Sequence, residues 1–263
     1  MITLPGPGFD SLIRPHTGDL LDLQRTARGH GSDLTALATG EKGRWFVKAV
    51  RNRPGGRRDS LIREELINPC VRPVSPPVVW RAENDEWLVL GFEYVDARHA
   101  DFAPGSSDLA DVVQVVDRIG ALPLPGVAAD WTETRWDRYA DDPGLLRGDT
   151  LLYTDINPDN VLIGEHAVWT VDWAWPTRGA AFIDPALLAV QFVAAGHAPG
   201  AADAAVAACP GWRQAHPAAI DAFADANARM YERFAERHAD APWLADMATA
   251  ARRWAVHRAG CRH

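Results

Sequence analysis

Residues 151–164 read LLYTDINPDNVLIG, in which two apolar runs enclose a short polar stretch. That stretch holds Asp155, Asn157, Pro158 and Asn160. Asx side chains bond neighbouring backbone groups and proline presets its own φ, so turn formation alone accounts for this composition. A functional interpretation therefore needs partner residues that an ordinary turn would not require.

The first of these partners follows directly in the sequence. An apolar run at 168–171, VWTV, comes after Gly164-Glu165-His166 and predicts a β-hairpin. Such a hairpin would bring Asn160 and Asp172 to one end, with Asp155 upstream in the same loop. An amide oxygen and a carboxylate suit Mg²⁺, which takes oxygen ligands. The remaining carboxylate, Asp155, is then free to act on a hydroxyl, as phosphoryl transfer requires.

A lysine in the first third of the chain supplies the next partner. Lys48 lies near the end of a predicted strand at 44–50, within RWFVKAV. A predicted helix from Arg57 to Asn68, ended by Pro69, carries Glu64 at a position suited to pair with that lysine. The adjacent Glu65 is an alternative partner.

A glycine-containing turn precedes Lys48 in the sequence. Gly29, Gly31 and Ser32 lie between predicted strands at 20–27 and 34–39. Their backbone amides are candidates to cover nucleotide phosphates, although the turn is not a complete G-x-G-x-x-G.

Composition restricts the class of protein. The 263 residues carry a formal net charge of −8, which argues against a nucleic-acid partner. Residues 1–95 contain 13 basic and 12 acidic side chains, whereas residues 96–263 contain 14 Arg, no Lys and 23 acids. This imbalance favours a cationic ligand for the second part or serves solubility alone. Three scattered cysteines and the lack of a signal-like start or a long apolar run predict a soluble cytoplasmic protein without a membrane partner.

Strands with one helix are predicted for residues 1–95, after an irregular Pro-rich opening. Helices dominate residues 96–263, with predictions at 107–119, 131–139 and from 186 onward. On the last of these, Asp225 and Arg229 are spaced to form an ion pair on a solvent face. The sequence thus predicts an α+β protein of two domains, 1–95 and 96–263, with a cleft between them.

At this point the chain resembles the aminoglycoside phosphotransferase family of the protein-kinase-like fold. The resemblance rests on FVKAV, IREELINP, GFEYVDARHADF, LLYTDINPDNVLI and VDWAWPTRGAAFIDP, and it covers about residues 20–196. It implies a bilobal fold, with an N-terminal β-sheet lobe that has one helix and a mainly helical C-terminal lobe. Where family members usually carry His, two residues before Asp155, this chain has Tyr153.

The resemblance also implies roles for individual residues. Asp155 would be the catalytic base, and Asn160 and Asp172 would bind Mg²⁺. Lys48, with Glu64 as its partner, would contact the phosphates of ATP. The backbone of Glu93, Tyr94 and Val95 would hydrogen-bond adenine, and Asp184 is expected to be structural.

The expected activity is the ATP- and Mg²⁺-dependent phosphorylation of a hydroxyl on a small molecule. Two kinds of acceptor fit the sequence, namely an aminoglycoside-like or other cationic antibiotic, and an ordinary amino alcohol, sugar or nucleoside. The short interval between Asp172 and Asp184 favours either of these over a peptide. A non-catalytic nucleotide-binding scaffold is the third alternative. The sequence leaves the oligomeric state open.

Overall fold

The computed structural model describes residues 5–26 and 31–260. The described residues form two compact units, one within residues 1–98 and 164–175 and the other within residues 99–163 and 176–263. The helices are α1 (Pro7–Thr17), α2 (Gly56–Val71), α3 (Leu109–Gly120), α4 (Ile183–Ala194), α5 (Pro199–Val206), α6 (Pro210–Gln214), α7 (Pro217–Arg237) and α8 (Pro242–Gly260). The strands are β1 (Leu20–Arg25), β2 (Leu34–Gly40), β3 (Gly43–Arg51), β4 (Val78–Glu83), β5 (Trp87–Glu93), β6 (Ala97–His99), β7 (Thr150–Leu152), β8 (Val161–Gly164), β9 (Val168–Thr170) and β10 (Thr177–Gly179).

The first unit is built on a five-stranded antiparallel sheet in the order β1-β2-β3-β5-β4. Successive side chains of a strand point to opposite faces, and β3 shows the consequence. Val47 and Ala49 are buried on the face covered by α1, while Val50 packs with Leu61 of α2 on the other. Lys48 shares the parity of Val50, so the alternation of the strand directs it to the α2 side.

Helix α1 was missed in the sequence, where its prolines indicated irregular structure. Pro7 occupies the first turn, where no intrahelical N–H bond is lost. Phe9 and Ile13 are fully buried, and the Phe9 ring lies 5.4 Å from that of Trp87. The prediction of one helix in the N-terminal lobe is therefore wrong. The burial of Phe9 and Ile13, four residues apart, stabilises α1 as a second helix.

Helix α2 also differs from its prediction at one end. It continues through Pro69 to Val71 rather than ending at Asn68. Its buried face contains Leu61, Glu64 and Val71, whereas Leu66 is 48% exposed. Glu64 therefore lies on the buried face of the helix.

The second unit is mainly helical. Helix α4 is buried along nearly its whole length, as its apolar sequence predicts, and α7 packs along α8. Fully buried Trp136 donates from Nε1 to Asn227 Oδ1 of α7 at 3.0 Å. Two short strands, β7 and β10, form an antiparallel pair that leads into the loop at 153–160.

Two predictions for this unit are wrong. Residues 131–139 form turns rather than a helix, because Trp131 O and Glu133 N are bonded to the backbone of Arg178. A backbone engaged with a neighbouring strand cannot also make helical bonds. On α7, Arg229 pairs with Asp141 at 2.7 Å instead of with Asp225.

Candidate functional site

The first unit contains a buried ion pair. Lys48 Nζ donates to Glu64 Oε1 at 2.7 Å and to Oε2 at 2.9 Å, with only 6% of Lys48 and 3% of Glu64 exposed. Glu65 points elsewhere and pairs with Arg81 at 3.1 Å. Glu64 is therefore the partner of Lys48, which resolves the alternative left by the sequence.

Asp172 belongs to the same cluster. Its Oδ1 accepts a hydrogen bond from Lys48 Nζ at 3.0 Å, and about a third of its side chain, 32%, is exposed. Asp172 has a φ of 63°, a left-handed conformation that Asp tolerates better than most residues. The next residue, Trp173, donates its backbone N–H to Glu64 Oε1 at 3.2 Å, so Glu64 joins the lysine to the segment that carries Asp172.

The two carboxylates control the charge of Lys48. Burial by itself lowers the pKa of this lysine, but Glu64 and Asp172 outweigh burial and raise the pKa above its usual value. The ammonium group of Lys48 therefore stays charged at neutral pH.

The other residues predicted to contact the nucleotide precede β2 in the sequence or lie at and after the end of β5. Gly31 and Ser32 lie in the bend before β2, while Gly29 lies outside the described residues. Glu93 ends β5 and donates its N–H to Pro77 O, and Tyr94 and Val95 follow it. The guanidinium of Arg44 lies 4.0 Å from the centre of the Tyr94 ring.

In the second unit, Asp155 is exposed in the loop after β7 and is held by two amides. Asn157 Nδ2 donates to its Oδ1 at 3.2 Å, and Asn160 Nδ2 donates to its Oδ2 at 2.9 Å. Asn157 Oδ1 in turn accepts from Asp159 N at 3.0 Å, which forms the Asx turn expected from the sequence. The polar stretch thus orients a carboxylate as well as turning the chain.

The backbone before Asp155 is strained. Thr154 has a φ of 62°, a region that costs a β-branched residue about 1–2 kcal/mol. The buried carboxylate of Asp184 accepts the N–H groups of Tyr153 (2.8 Å) and Thr154 (2.9 Å). These bonds explain a structural role for Asp184, whose burial raises its pKa to about 6.

The residues proposed for magnesium have suitable donor atoms. Asn160 uses its Nδ2 on the backbone and side chain of Asp155, which leaves its Oδ1 as the end of the amide suited to a cation. Asp172 supplies a part-exposed carboxylate. Within residues 5–26 and 31–260 no three His, Cys, Asp or Glu side chains cluster as a metal site.

Sequence reasoning missed two residues beside the Asp155 loop. Arg135 donates to Thr154 O at 3.2 Å and to Thr154 Oγ1 at 2.9 Å. Burial of the Tyr231 hydroxyl on α7 raises its pKa, while Arg135 opposes that rise and Asp155 adds to it. Arg135 falls in the segment wrongly predicted as a helix, and no motif marks either residue.

The sequence matches no protein-family model and no curated protein. Solved structures give clear matches. A choline kinase, LicA, from Streptococcus pneumoniae is 11% identical with a TM-score of 0.64, covering 94% of this chain and 97% of its own. An aminoglycoside phosphotransferase from Alicyclobacillus acidocaldarius is 13% identical with a TM-score of 0.64, covering 99% and 97%. Macrolide 2′-phosphotransferase MphH from Brachybacterium faecium is 17% identical with a TM-score of 0.56, covering 93% and 97%.

These likenesses show that the chain has the kinase-like α+β fold of the aminoglycoside phosphotransferases. The fold class expected from the sequence is therefore confirmed. In the part of the chain that the structure describes, no helix combines the length and apolar character needed to cross a bilayer.

Proposed function

We propose that this protein is an ATP- and Mg²⁺-dependent phosphotransferase that acts on a hydroxyl of a small molecule. The observation that carries the proposal is the buried Lys48–Glu64 pair with Asp172 on the same ammonium. Burying the charges of Lys48 and Glu64 together is costly, and a hydrophobic pair of similar volume would stabilise the fold at least as well. A role in function therefore explains these buried charges better than a role in stability. Structural neighbours whose names state phosphoryl transfer to choline, aminoglycosides, macrolides and aminopropanol support the same class of reaction.

Asp155 is proposed as the catalytic base. Its carboxylate is exposed and held by Asn157 and Asn160, so it is oriented before an acceptor arrives. It would accept the hydroxyl proton as the acceptor oxygen attacks the γ-phosphate.

Lys48, kept charged by its two carboxylates, would contact the phosphates of ATP. The backbone of Glu93, Tyr94 and Val95 would hydrogen-bond adenine, and the turn with Gly29, Gly31 and Ser32 would cover the phosphates. Asn160 and Asp172 are the proposed magnesium ligands. The metal, when bound, supplies neutralisation of phosphate charge.

The charge of the second unit gives less support to a cationic acceptor than its composition suggests. Several of its acids are already paired with arginines, for example at 2.7 Å for Asp141–Arg229, 2.7 Å for Glu232–Arg252 and 2.9 Å for Asp221–Arg258. These three carboxylates already bind arginines of the chain and are therefore less available to contact an amine-rich substrate. We therefore propose a hydroxylated small molecule, antibiotic or metabolite, without requiring that it be cationic. The cytoplasm, which supplies ATP, is the proposed location.

The test is release of ADP from Mg-ATP by the purified protein, across a panel of aminoglycosides, macrolides, amino alcohols, sugars and nucleosides. The expected result is acceptor-stimulated release that falls about 100-fold or more in Asp155→Asn. Asp159→Asn makes the same chemical change four residues away in the same turn and should retain most of the activity. Equal rates for Asp155→Asn and wild type would overturn the assignment of the base.

A further inference from the structure

Thr154 is held in its left-handed conformation from two sides. Asp184 accepts the N–H groups of Tyr153 and Thr154. From the other side, Arg135 donates Nη1 to Thr154 O at 3.2 Å and Nη2 to Thr154 Oγ1 at 2.9 Å. A β-branched residue stays at a φ of 62° only where its surroundings fix it, and Asp155 is the next residue.

Arg135 is itself fixed in place. Its backbone N–H donates to Glu133 Oε1 at 2.6 Å, and Glu133 Oε2 accepts from Thr177 Oγ1 at 2.8 Å. Glu133 is 3% exposed, and its N–H donates to Arg178 O of β10 at 2.9 Å. The guanidinium also lies 5.0 Å from the centre of the Trp136 ring. Because the Arg135 backbone is hydrogen-bonded and its guanidinium packs on an aromatic ring, the side chain has few alternative positions. Its two N–H groups can therefore hold Thr154 in place.

We infer that Arg135 is a positioning residue for Asp155, an inference that rests on the proposed function. The φ of Thr154 sets the direction in which the chain enters Asp155. Without the guanidinium, Thr154 loses the bonds to its carbonyl and hydroxyl, and relaxation to an ordinary backbone conformation would turn the Asp155 carboxylate away from its amide partners. Arg135 does not touch the reacting atoms, so its loss should lower kcat and leave KM for ATP nearly unchanged.

The test compares Arg135→Met, Arg135→Lys, the double variant Arg135→Met with Thr154→Gly, and the control Arg138→Met. Arg138 lies on the same segment and stacks on its own aromatic neighbour, Tyr139, at 4.9 Å. Glycine adopts positive φ without strain, so Thr154→Gly supplies the left-handed conformation that Arg135 otherwise enforces. The measurements are kcat and KM for ATP with an active acceptor, or with water as acceptor where none is active, and amide exchange of residues 150–160.

Arg135→Met is expected to lower kcat about 10- to 100-fold with less than a threefold change in KM for ATP. It should also speed amide exchange of the loop. Arg135→Lys should be intermediate, the double variant should regain at least about fivefold in kcat over Arg135→Met, and Arg138→Met should match wild type. A loss that the glycine does not relieve, or an equal loss in Arg138→Met, would show a general structural role and overturn the inference.

Failure of the phosphotransferase proposal can be distinguished from failure of the positioning inference. A wild-type protein that releases no ADP with any acceptor or with water contradicts the phosphotransferase proposal alone. Amide exchange then decides the positioning inference. Faster exchange in Arg135→Met that the glycine variant reverses supports it, and unchanged exchange overturns it.

Discussion

The ammonium of Lys48 lies 2.7 Å from one carboxylate oxygen of Glu64 and 2.9 Å from the other, with both side chains buried. The same ammonium bonds Asp172 at 3.0 Å. One lysine therefore bonds two acids taken from distant parts of the chain. Each member of the set depends on the others, because an isolated charge at this site would be strongly penalised.

Removing the lysine should therefore destabilise the protein more than removing an exposed ion pair. We expect Lys48→Met to lower the free energy of unfolding by about 3–5 kcal/mol, because Glu64 would remain buried without its cation. The double variant Lys48→Met with Glu64→Leu should lose less than the sum of the two single changes. Urea unfolding measures all three.

Glu65 is the matched control for this prediction. Its pair with Arg81 is partly exposed, with side-chain exposures of 39% for Arg81 and 30% for Glu65. Glu65→Gln should cost no more than about 1 kcal/mol. Strict additivity of the Lys48 and Glu64 changes would contradict the coupling inferred from their distance.

Asp184 should make stability depend on pH. Its pKa in the folded protein is about 6, against an ordinary value of 3.8, so the folded state binds the proton more tightly than the unfolded state. The stabilisation from that proton is complete below the ordinary pKa and is lost as pH rises through 6. As the pH rises from 5 to 7.5, wild type should lose about 1–2 kcal/mol of unfolding free energy relative to Asp184→Asn.

The control for this pH effect is Asp159→Asn, which removes an exposed carboxylate from the nearby turn. Comparison with this variant separates the effect of Asp184 from the general effect of losing one carboxylate. Denaturant unfolding at several pH values gives both comparisons. Parallel curves for wild type and Asp184→Asn would refute the raised pKa.

The sequence predicted the parts of the site that follow from local pattern. Strand alternation directs Lys48 to the α2 side. The sequence left Glu64 and Glu65 open as its partner, and the structure places Glu64 on the buried face of the helix. Arg135 obeys no such rule, because its position depends on the bonding of residues 131–133 to β10. The grouping of residues 164–175 with the first unit likewise arises from long-range packing. Helix α1 was not predicted because its prolines indicated irregular structure, although Phe9 and Ile13 have the spacing of a helical apolar face.

Gly91 provides a test of the sheet that supports Lys48. A Cβ placed on Gly91 would lie 2.0 Å from the Trp80 ring, so the ring and β5 cannot both keep their positions. We expect Gly91→Ala to cost about 1–3 kcal/mol through overpacking. Gly120 has nothing within 4 Å of its added Cβ, so Gly120→Ala should leave stability nearly unchanged. Thermal unfolding distinguishes the two, and equal melting temperatures would show that Trp80 moves freely.

Asn157 and Asn160 allow the orientation of Asp155 to be separated from metal binding. Both amides donate to Asp155, but Asn157 Oδ1 already accepts from Asp159 N, whereas Asn160 Oδ1 is the proposed magnesium donor. Asn157→Ala should lower kcat, because Asp155 loses a hydrogen bond, without changing the Mg²⁺ concentration that gives half-maximal rate. Asn160→Ala should lower kcat and also raise that Mg²⁺ concentration about tenfold or more, because an oxygen ligand is lost. Titration of ADP release with Mg²⁺ at fixed ATP measures both effects. If the two variants show the same Mg²⁺ dependence, Asn160 is a second orienting amide and the metal is held by other groups.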